Sequence, residues 1–371
     1  MKVVLLADAG SIHTFRWANG LSKQGIEVHL ISQHRPKQQY TDGVKVHILK
    51  GQGLLGYFLI VPKVRRLLKE IQPNLINAHY ASGYGTTARL TNYRPLLLSV
   101  WGSDVYDFPY KSFLHNYLIK KNLLASDAIA STSHCMAAQT NKLVKLNKEI
   151  YITPFGVDIE YFSVATGVKQ SAGEIIIGTV KTMDDKYGID TLIESFSILL
   201  TNIKITAPEL AEKLKLRLVG GGPKTAQLKL LAKQKAVFDR VEFVGQVDHT
   251  QVAHELAAFD IYVALSRLDS ESFGVAIIEA GAASKPVVVS DAGGLPEVVK
   301  NEVTGLVVTK EDPVAAAKAI EKLVTNAELR EKMGAAAKQH VEQTYCWSIC
   351  LKQMKNVYNQ VIEDFKVAKN D

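Results

Sequence analysis

The sequence predicts an α/β protein of two Rossmann-like domains, each a doubly wound parallel sheet, facing each other across a cleft. Its 371 residues suit two domains of about 150–200 residues better than one. Short apolar runs alternate with helix-period segments in both halves, which is typical of parallel sheets with helices on both faces. A stretch rich in Pro, Gly, Ser and Lys at 154–173 breaks the alternation, so we interpret it as the link between the domains.

The predicted strands are the apolar runs themselves. Seven fall in the first half: KVVLLA, IEVHLIS, VKVHIL, NLINAH, PLLLSV, DAIAST and EIYITP. Six fall in the second: EIIIGTV, KLRLVG, VEFVG, DIYVAL, KPVVVS and GLVV. Helical periodicity between them predicts helices that include 14–24, 64–71, 85–90, 114–124, 189–200, 225–235, 250–257 and 313–325. Two long helical segments, 327–343 and about 347–367, end the chain.

Composition places the protein in an ordinary globular class. Hydrophobic residues make up 47% of the chain and charged residues 22%, and no run approaches the ~20 apolar residues of a membrane span. The first residues resemble a strand more than a signal peptide. The cysteines form neither a disulfide framework nor a metal set: Cys135, Cys346 and Cys350. We therefore expect a cytoplasmic protein.

Positive charge is concentrated in the first half of the chain. Residues 1–160 hold 19 Lys and Arg against 10 Asp and Glu, a balance of +9, whereas the remainder holds 25 against 27, a balance of −2. No nucleic-acid motif accompanies this charge, so an anionic membrane face or a phosphorylated acceptor is the favoured partner. In the segment 53–70 we expect the four cations to face anionic lipid, at the inner face of the plasma membrane, and the apolar residues Leu54, Leu55, Tyr57 and Phe58 to pack on the sheet.

One stretch in the second half, 266–297, carries the clearest chemistry. A polar turn with Glu271 follows the strand FDIYVAL, and Phe273-Gly274 then opens a helix. The first N–H groups of a helix are unpaired and carry partial positive charge, which suits a phosphate. Inside that helix Glu279 offers a carboxylate that can accept two hydrogen bonds from the diol of a ribose. These features predict a site for a nucleoside diphosphate.

The same residues carry a family resemblance. Glu271 and Glu279 enclose Phe273-Gly274, with Gly293-Gly294 and Glu297 in register. This pattern resembles the retaining nucleotide-sugar glycosyltransferases of family 4, which have the GT-B fold. The resemblance implies an acceptor-binding domain at 1–160, a donor-binding domain at 161–347, and a last helix, 348–371, that packs back on the first domain. It also implies that Glu271 orients the sugar and that the backbone of Ser272, Phe273, Gly274 and Val275 binds the phosphate or sugar.

Further donor-side residues follow from two loops. Lys181 and Lys186, after the strand EIIIGTV, would neutralise a diphosphate. Family members carry Arg where this chain has Lys181, and Tyr187 is inserted before Gly188. The loop Val-Gly-Gly-Gly-Pro matches a family motif, which implies that Gly221 and Gly222 lie near base or ribose. Val247 is similarly placed near the base.

Acceptor-side residues are predicted at the ends of the strands of the first half. Gly10-Ser11 would face the donor phosphate or sugar, and His13 and His79 are candidates for the acceptor site, His79 also for catalysis. Trp101 stands where many family members have His, which suggests stacking on a sugar ring. Asp104 either binds hydroxyls or caps the next helix.

The resemblance implies a metal-independent transferase that needs no cofactor beyond its donor. It would move a hexose or N-acetylhexosamine, from a UDP-sugar by preference, to a hydroxyl of a glycan or lipid-linked acceptor in polysaccharide, lipopolysaccharide or glycolipid synthesis. Same-face attack would retain the anomeric configuration. Two alternatives stay open: a nucleotide-sugar epimerase of GT-B architecture and a non-catalytic nucleotide-sugar-binding protein.

Overall fold

The computed structural model describes residues 1–51, 53–164 and 173–370, with the side chains of Val164 and Asn370 left out. Residues 165–172, part of the predicted link 154–173, lie outside the described residues. The chain divides into two compact units, one formed by Met1–Gly156 with Trp347–Asp371 and the other by Val157–Cys346. The first boundary falls four residues before the expected position because the helix Ile159–Val164 belongs to the second unit, where Tyr161 Oη donates to the carbonyl of Thr250 at 2.7 Å.

The first unit contains seven parallel strands in the order β3-β2-β1-β4-β5-β6-β7. Their bounds are β1 Lys2–Leu6, β2 Glu27–Ser32, β3 Val44–Ile48, β4 Leu75–His79, β5 Leu96–Val100, β6 Ala128–Ser131 and β7 Ile150–Ile152. The helices are α1 Ile12–Lys23, α2 Gly53–Leu59, α3 Val61–Ile71, α4 Gly83–Thr91, α5 Ser103–Tyr106, α6 Phe113–Ala125, α7 His134–Leu143 and, from the end of the chain, α17 Trp347–Asn370.

The second unit contains six parallel strands in the order β10-β9-β8-β11-β12-β13. Their bounds are β8 Ile175–Val180, β9 Leu214–Val219, β10 Val241–Gly245, β11 Ile261–Ala264, β12 Val287–Ser290 and β13 Gly305–Val308. The helices are α8 Ile159–Val164, α9 Ile189–Thr206, α10 Pro208–Lys213, α11 Thr225–Gln234, α12 His249–Ala258, α13 Val275–Ala282, α14 Leu295–Val298, α15 Pro313–Val324 and α16 Ala327–Thr344. A 3₁₀ turn, Asp185–Tyr187, precedes α9.

Both sheets have a doubly wound strand order. Successive strands are added on one side of the unit's first strand and then on its other side. Central strands such as β4 and β12 are buried along their whole length, which explains why most of their residues are apolar. The predicted fold class, two Rossmann-like parallel sheets, is confirmed. Because ligands bind at the carboxyl ends of such strands, the loops after β1, β4 and β5 and those after β8, β9 and β11 are where a site is expected.

The C-terminal helix α17 packs within the first unit. Its Trp347 ring meets the Trp17 ring edge-on at 5.1 Å, and the Tyr358 hydroxyl accepts a hydrogen bond from buried Asn77 in β4 at 2.8 Å. Gly20 allows the close approach, since a Cβ there would lie 2.7 Å from a methyl of Leu351. The end of the chain therefore covers α1 and the sheet of the first unit.

One packing expectation is wrong. Leu54, Leu55 and Phe58 were expected against the sheet, but Leu54 and Leu55 are 66% and 71% exposed and Phe58 is 44% exposed. Only Tyr57 turns inward, where its ring meets that of Tyr84 at 5.1 Å. In this short helix a single side chain fills the space above α4, so the remaining apolar residues face solvent.

Candidate active site

A buried ion pair lies at the carboxyl end of the second unit's sheet. Lys181, directly after β8, donates from Nζ to Oε1 of Glu271 at 2.6 Å. The two side chains are only 9% and 11% exposed. Burial is the largest single effect on the pKa of Lys181 and would lower it, but the charge and hydrogen bond of Glu271, together with the nearby Tyr262 and Tyr187, outweigh burial and raise that pKa. The ammonium is therefore charged and fixed beside the first acid of the Glu-x7-Glu pattern.

A second cation stands on the same loop. The 3₁₀ turn carries Lys186, whose Nζ donates to the carbonyl of Ser270 at 3.0 Å. The ring of Tyr187 lies 5.0 Å from the Nζ of Lys181 and 5.6 Å from that of Lys186. The structure thus brings both predicted cations to the segment that holds Glu271.

The backbone of that segment is held by the glycine turn after β12. Gly294 donates to the carbonyl of Glu271 at 3.0 Å. A Cβ on Gly293 would lie 2.4 Å from that same oxygen, and one on Gly294 would lie 2.1 Å from the carbonyl of Ser272. Larger residues at either position would push the Glu271 loop away, so these glycines shape the site by permitting close approach.

Helix α13 begins beside this loop. Gly274, at φ +89°, is its N-cap and has no side-chain capping bond, while Ser272 and Phe273 before it are buried. The Phe273 ring packs edge-on against Tyr345 at 5.7 Å, which anchors the turn. From Val275 onward the first backbone N–H groups of the helix are directed toward the loop, as an anion site requires.

Glu279 lies inside α13 and is 6% exposed. Its Oε1 is 3.5 Å from Nε2 of His249, the first residue of α12. His249 was not predicted, although a polar residue opening the helix after β10 was a usable signal. Val247, predicted near a base, lies two residues earlier on the same connection and is partly exposed.

The glycine loop after β9 packs closely against the backbone of the loop that carries Lys181. A Cβ on Gly220 would lie 2.0 Å from the carbonyl of Lys181, and one on Gly222 would lie 2.5 Å from that of Met183. Gly221 is different, since a Cβ there would meet only Gln246 at 3.6 Å. Gly222 thus has a packing role whatever it binds, whereas Gly221 leaves open space beside it.

In the first unit the loop after β1 forms a tight turn. Gly10 N donates to Oδ1 of Asp8 at 2.8 Å, and Ser11 N donates to the Asp8 carbonyl at 3.1 Å. Ser11 is the N-cap of α1, and its hydroxyl makes no capping bond. The start of α1 therefore presents backbone N–H groups together with the Ser11 hydroxyl.

An aromatic cluster surrounds Trp101 at the end of β5. Ring centroids lie 4.3 Å away for His79, 5.4 Å for Tyr80 and Phe155, and 6.0 Å for His13. His79 is 1% exposed, and burial together with the nearby His13 lowers its pKa to about 3. It is therefore neutral at ordinary pH, and its buried ring packs against that of Trp101.

Asp104 holds the backbone in front of α5. Its Oδ1 accepts hydrogen bonds from the N–H groups of Trp101 at 3.1 Å and Gly102 at 2.9 Å, and its Oδ2 accepts one from Ala81 at 2.7 Å. The side chain is 1% exposed, and burial raises its pKa. Both oxygens are thus occupied by the chain, which makes Asp104 a turn-holding residue that joins the ends of β4 and β5.

Two family models match the chain. The model for glycosyl transferases group 1 matches residues 167–340, and that for glycosyl transferase 4-like proteins matches residues 2–133. N-acetyl-alpha-D-glucosaminyl L-malate synthase of Bacillus anthracis is 26% identical over 368 residues, covering 94% of this chain and 93% of that protein. This chain belongs to the GT-B glycosyltransferases of family 4.

Solved structures show the same fold in other glycosyltransferases. A sucrose-phosphate synthase from Thermosynechococcus elongatus has a TM-score of 0.81 at 22% identity, covering 98% of this chain and all of that one. Anabaena HepE in complex with UDP has a TM-score of 0.82 at 17% identity, covering 97% of this chain and all of that one. Within the described ranges, this glycosyltransferase has no helix that is both long and apolar enough to cross a membrane.

Proposed function

We propose that this glycosyltransferase moves a hexose or N-acetylhexosamine from a nucleoside-diphosphate sugar to a hydroxyl of a glycan or lipid-linked acceptor. The observation that carries the proposal is the grouping of Lys181, Lys186 and Glu271 at the loop that precedes α13. Two cations and the amino terminus of α13 suit a diphosphate, and Glu279, buried in α13, is suited to a ribose diol.

The chemistry follows from where charge develops. As the bond from the anomeric carbon to the diphosphate breaks, negative charge grows on the leaving oxygen, and both ammonium groups become more strongly attracted to it. That oxygen can take the proton of the attacking hydroxyl as the new glycosidic bond forms on the same face. The anomeric configuration is then retained without a protein nucleophile, and the two cations replace a divalent metal.

We favour a UDP-sugar. HepE, a structural neighbour, was solved with UDP and with UDP-glucose. A mannosyltransferase of Corynebacterium glutamicum, 30% identical over 218 residues and covering 55% of this chain, is named for GDP-mannose instead. The test therefore includes UDP and GDP, together with ADP.

The experiment is a thermal-shift panel of UDP, GDP, ADP and their common sugars, run with EDTA and with Mg²⁺. A ligand present at about 100 times its Kd stabilises the folded state by about 2.7 kcal/mol, which moves the melting midpoint visibly. We expect one nucleotide to stabilise the protein equally in EDTA and in Mg²⁺. If none does, the assignment of a donor site to Glu279 and the start of α13 is wrong.

The preferred donor then separates the remaining classes of activity. A transferase releases nucleoside diphosphate only when an acceptor is present, and NMR of its product shows the retained anomer. Interconversion of two nucleotide sugars without acceptor would indicate an epimerase. Binding with neither reaction, across glycan and lipid-linked acceptors, would indicate a binding protein.

We also propose that the first unit docks on an anionic lipid surface, which suits a lipid-linked acceptor. Helices α2 and α6 both border one pocket of about 250 Å³, whose lining includes Leu54, Phe58, Leu114 and Leu118. The same two helices carry Leu55, which is 71% exposed, and Phe113, which is 83% exposed. Such a patch on a protein surface marks an interaction site.

The chain segments that carry these apolar side chains are rich in cations. The segments 53–69 and 108–126 contain seven Lys and Arg residues and no Asp or Glu. Lys111 and Lys121 lie over the rings of Phe108 and Tyr117 at 5.9 and 5.4 Å, so these cations border the apolar side chains. Apolar side chains that enter the acyl boundary, with cations at headgroup level, are the pattern of an interfacial protein.

A further inference from the structure

The ring of Tyr187 is approached by two ammonium groups, those of Lys181 and Lys186, at 5.0 and 5.6 Å from its centre. A cation within about 6 Å of an aromatic ring is attracted by the ring's quadrupole, and the attraction is stronger when the contact is desolvated. Here the ring is half-buried and the side chain of Lys181 is 9% exposed, so the contact with Lys181 is the stronger kind.

The other partners of the two lysines differ in kind. Lys181 is paired with the carboxylate of Glu271, which cancels its charge, whereas Lys186 donates to a neutral carbonyl, that of Ser270. A carboxylate that holds a cation also neutralises it. An uncharged ring holds the cation and leaves its full charge available to a phosphate.

Tyr187 is itself held in place by its backbone. Its N–H donates to the carbonyl of Asp184 at 3.1 Å, and the N–H of Arg267 donates to the carbonyl of Lys186 at 3.0 Å. The next residue, Gly188, lies so close to β11 that a Cβ would sit 1.9 Å from the carbonyl of Leu265. The ring thus stands on a turn that is fixed to the strand end.

We propose that Tyr187 is a positioning residue for the diphosphate of the donor. Its ring holds the ammonium groups of Lys181 and Lys186 next to each other at the loop of Glu271, and it does so without cancelling the charge that a diphosphate would meet. This inference rests on the proposed donor site. It predicts that the ring contributes to binding of the phosphates and not to binding of the nucleoside.

The test compares two ligands by calorimetry on the full chain: UDP and uridine, or GDP and guanosine if the guanine nucleotide is preferred. We expect Tyr187→Leu to weaken diphosphate binding about tenfold, in line with the loss of a partly desolvated cation–ring contact, and to leave nucleoside binding unchanged. Tyr187→Phe keeps the ring and should bind both ligands as the wild type does. Tyr187→Met, which has similar bulk and no ring, replaces the leucine variant if that one does not fold.

The chain offers a matched control. Lys233 lies 5.0 Å from the ring of Phe238, at the amino end of β10, so Phe238→Leu removes the same kind of contact away from the site. It should leave both affinities unchanged. Three outcomes would overturn this inference and leave the donor site standing. Tyr187→Leu could weaken nucleoside and diphosphate binding equally, it could weaken neither, or Tyr187→Phe could lose as much diphosphate affinity as Tyr187→Leu. A wild-type protein that binds no nucleoside diphosphate would overturn the donor site and this inference together.

Discussion

Lys181 and Glu271, 90 residues apart in the chain, form a 2.6 Å ion pair in which each side chain is about nine-tenths buried. The pair closes β8 and the loop after β11 against each other. A charge in such a position is stable only while its partner is present, because removal of either one leaves a desolvated ion.

Lys181→Met is therefore expected to lower the free energy of unfolding by about 3–5 kcal/mol, since Glu271 remains as an unpaired buried charge. The double variant Lys181→Met/Glu271→Leu should recover most of that loss. Urea unfolding followed by circular dichroism measures both. Lys310→Met is the control, because its pair with Asp269 is exposed and should contribute at most about 1 kcal/mol. Similar losses in the single and double variants would contradict the argument.

Lys186 should matter for turnover far more than for stability. Its ammonium donates to the neutral carbonyl of Ser270 and lies beside the ring of Tyr187, and in the proposed site it would meet the leaving diphosphate. We expect Lys186→Ala to lower kcat about 10²–10³-fold, as loss of one stabilising group does elsewhere, with a small change in the melting midpoint. Initial rates of nucleoside diphosphate release, with the preferred donor and acceptor, measure this effect.

The control for that experiment is Lys224→Ala. Lys224 precedes helix α11, and its ammonium pairs with Asp185 of the 3₁₀ turn at 2.9 Å. The Lys224→Ala variant also loses one positive charge near the turn. Its kcat should stay within about twofold of wild type, since surface ion pairs contribute little. An unchanged rate in Lys186→Ala would remove that residue from the site.

Much of the fold could be predicted from sequence, because the strands buried on both faces are short runs made mostly of β-branched and aliphatic residues, as in β12. Lys181, Lys186, Glu271 and Glu279 were singled out from sequence because they lie within short motifs, and their role in binding a donor stays a prediction. Their pairing was not predicted, because the Lys181–Glu271 contact joins two distant loops. Periodicity likewise could not show that Leu54 and Leu55 face solvent, nor that His79 packs against Trp101, because both depend on neighbours from other elements.

His79 should make stability depend on pH. Burial, with a contribution from His13, lowers its pKa from 6.5 to about 3 in the folded protein. Below pH 6.5 the imidazole of His79 therefore takes up a proton in the unfolded chain, whereas in the folded protein it does so only near pH 3. Stability from this residue is fully present above pH 6.5 and falls by about 1.4 kcal/mol per pH unit below it.

Urea unfolding between pH 7 and pH 5 compares the slope of wild type with that of His79→Phe, in which no imidazole titrates. We expect the phenylalanine variant to lose this part of the acid sensitivity. His254→Gln, at an exposed position in α12, is the matched control and should keep the wild-type slope. An identical slope in His79→Phe and wild type would show that the folded protein accommodates a charged His79.

Asp104→Asn should destabilise the first unit. The carboxylate accepts three backbone N–H groups from Ala81, Trp101 and Gly102, and an amide in its place brings an NH₂ group toward one of these donors. A hydrogen bond to a charged group contributes about 1.5–3 kcal/mol, so a loss of about 2 kcal/mol in unfolding free energy is expected. Asp107→Asn, three residues further on and exposed, is the control; equal stability of the two variants would contradict the structural role of Asp104.

Binding to lipid should depend on the apolar side chains of α2 and α6 and on salt. Replacing Leu55 and Phe113 by Ser removes two exposed anchors, each able to contribute about 1.5–3 kcal/mol when buried in an acyl boundary. Sedimentation with phosphatidylglycerol-containing vesicles should therefore show at least a tenfold weaker partition for the double variant. Wild-type binding should also weaken in high salt and on pure phosphatidylcholine vesicles, because the seven cations of the two segments lose their anionic partner.

The control for this surface is Ile205→Ser, which removes an equally apolar side chain, 80% exposed, from α9 of the second unit. It should bind vesicles as the wild type does. If the double variant also binds like wild type, the exposed apolar residues of α2 and α6 do not enter the bilayer, and the cations alone would then have to explain any binding. If wild-type binding changes with neither salt nor phosphatidylglycerol content, the charged surface does not contribute either, since attraction to anionic headgroups is screened by salt.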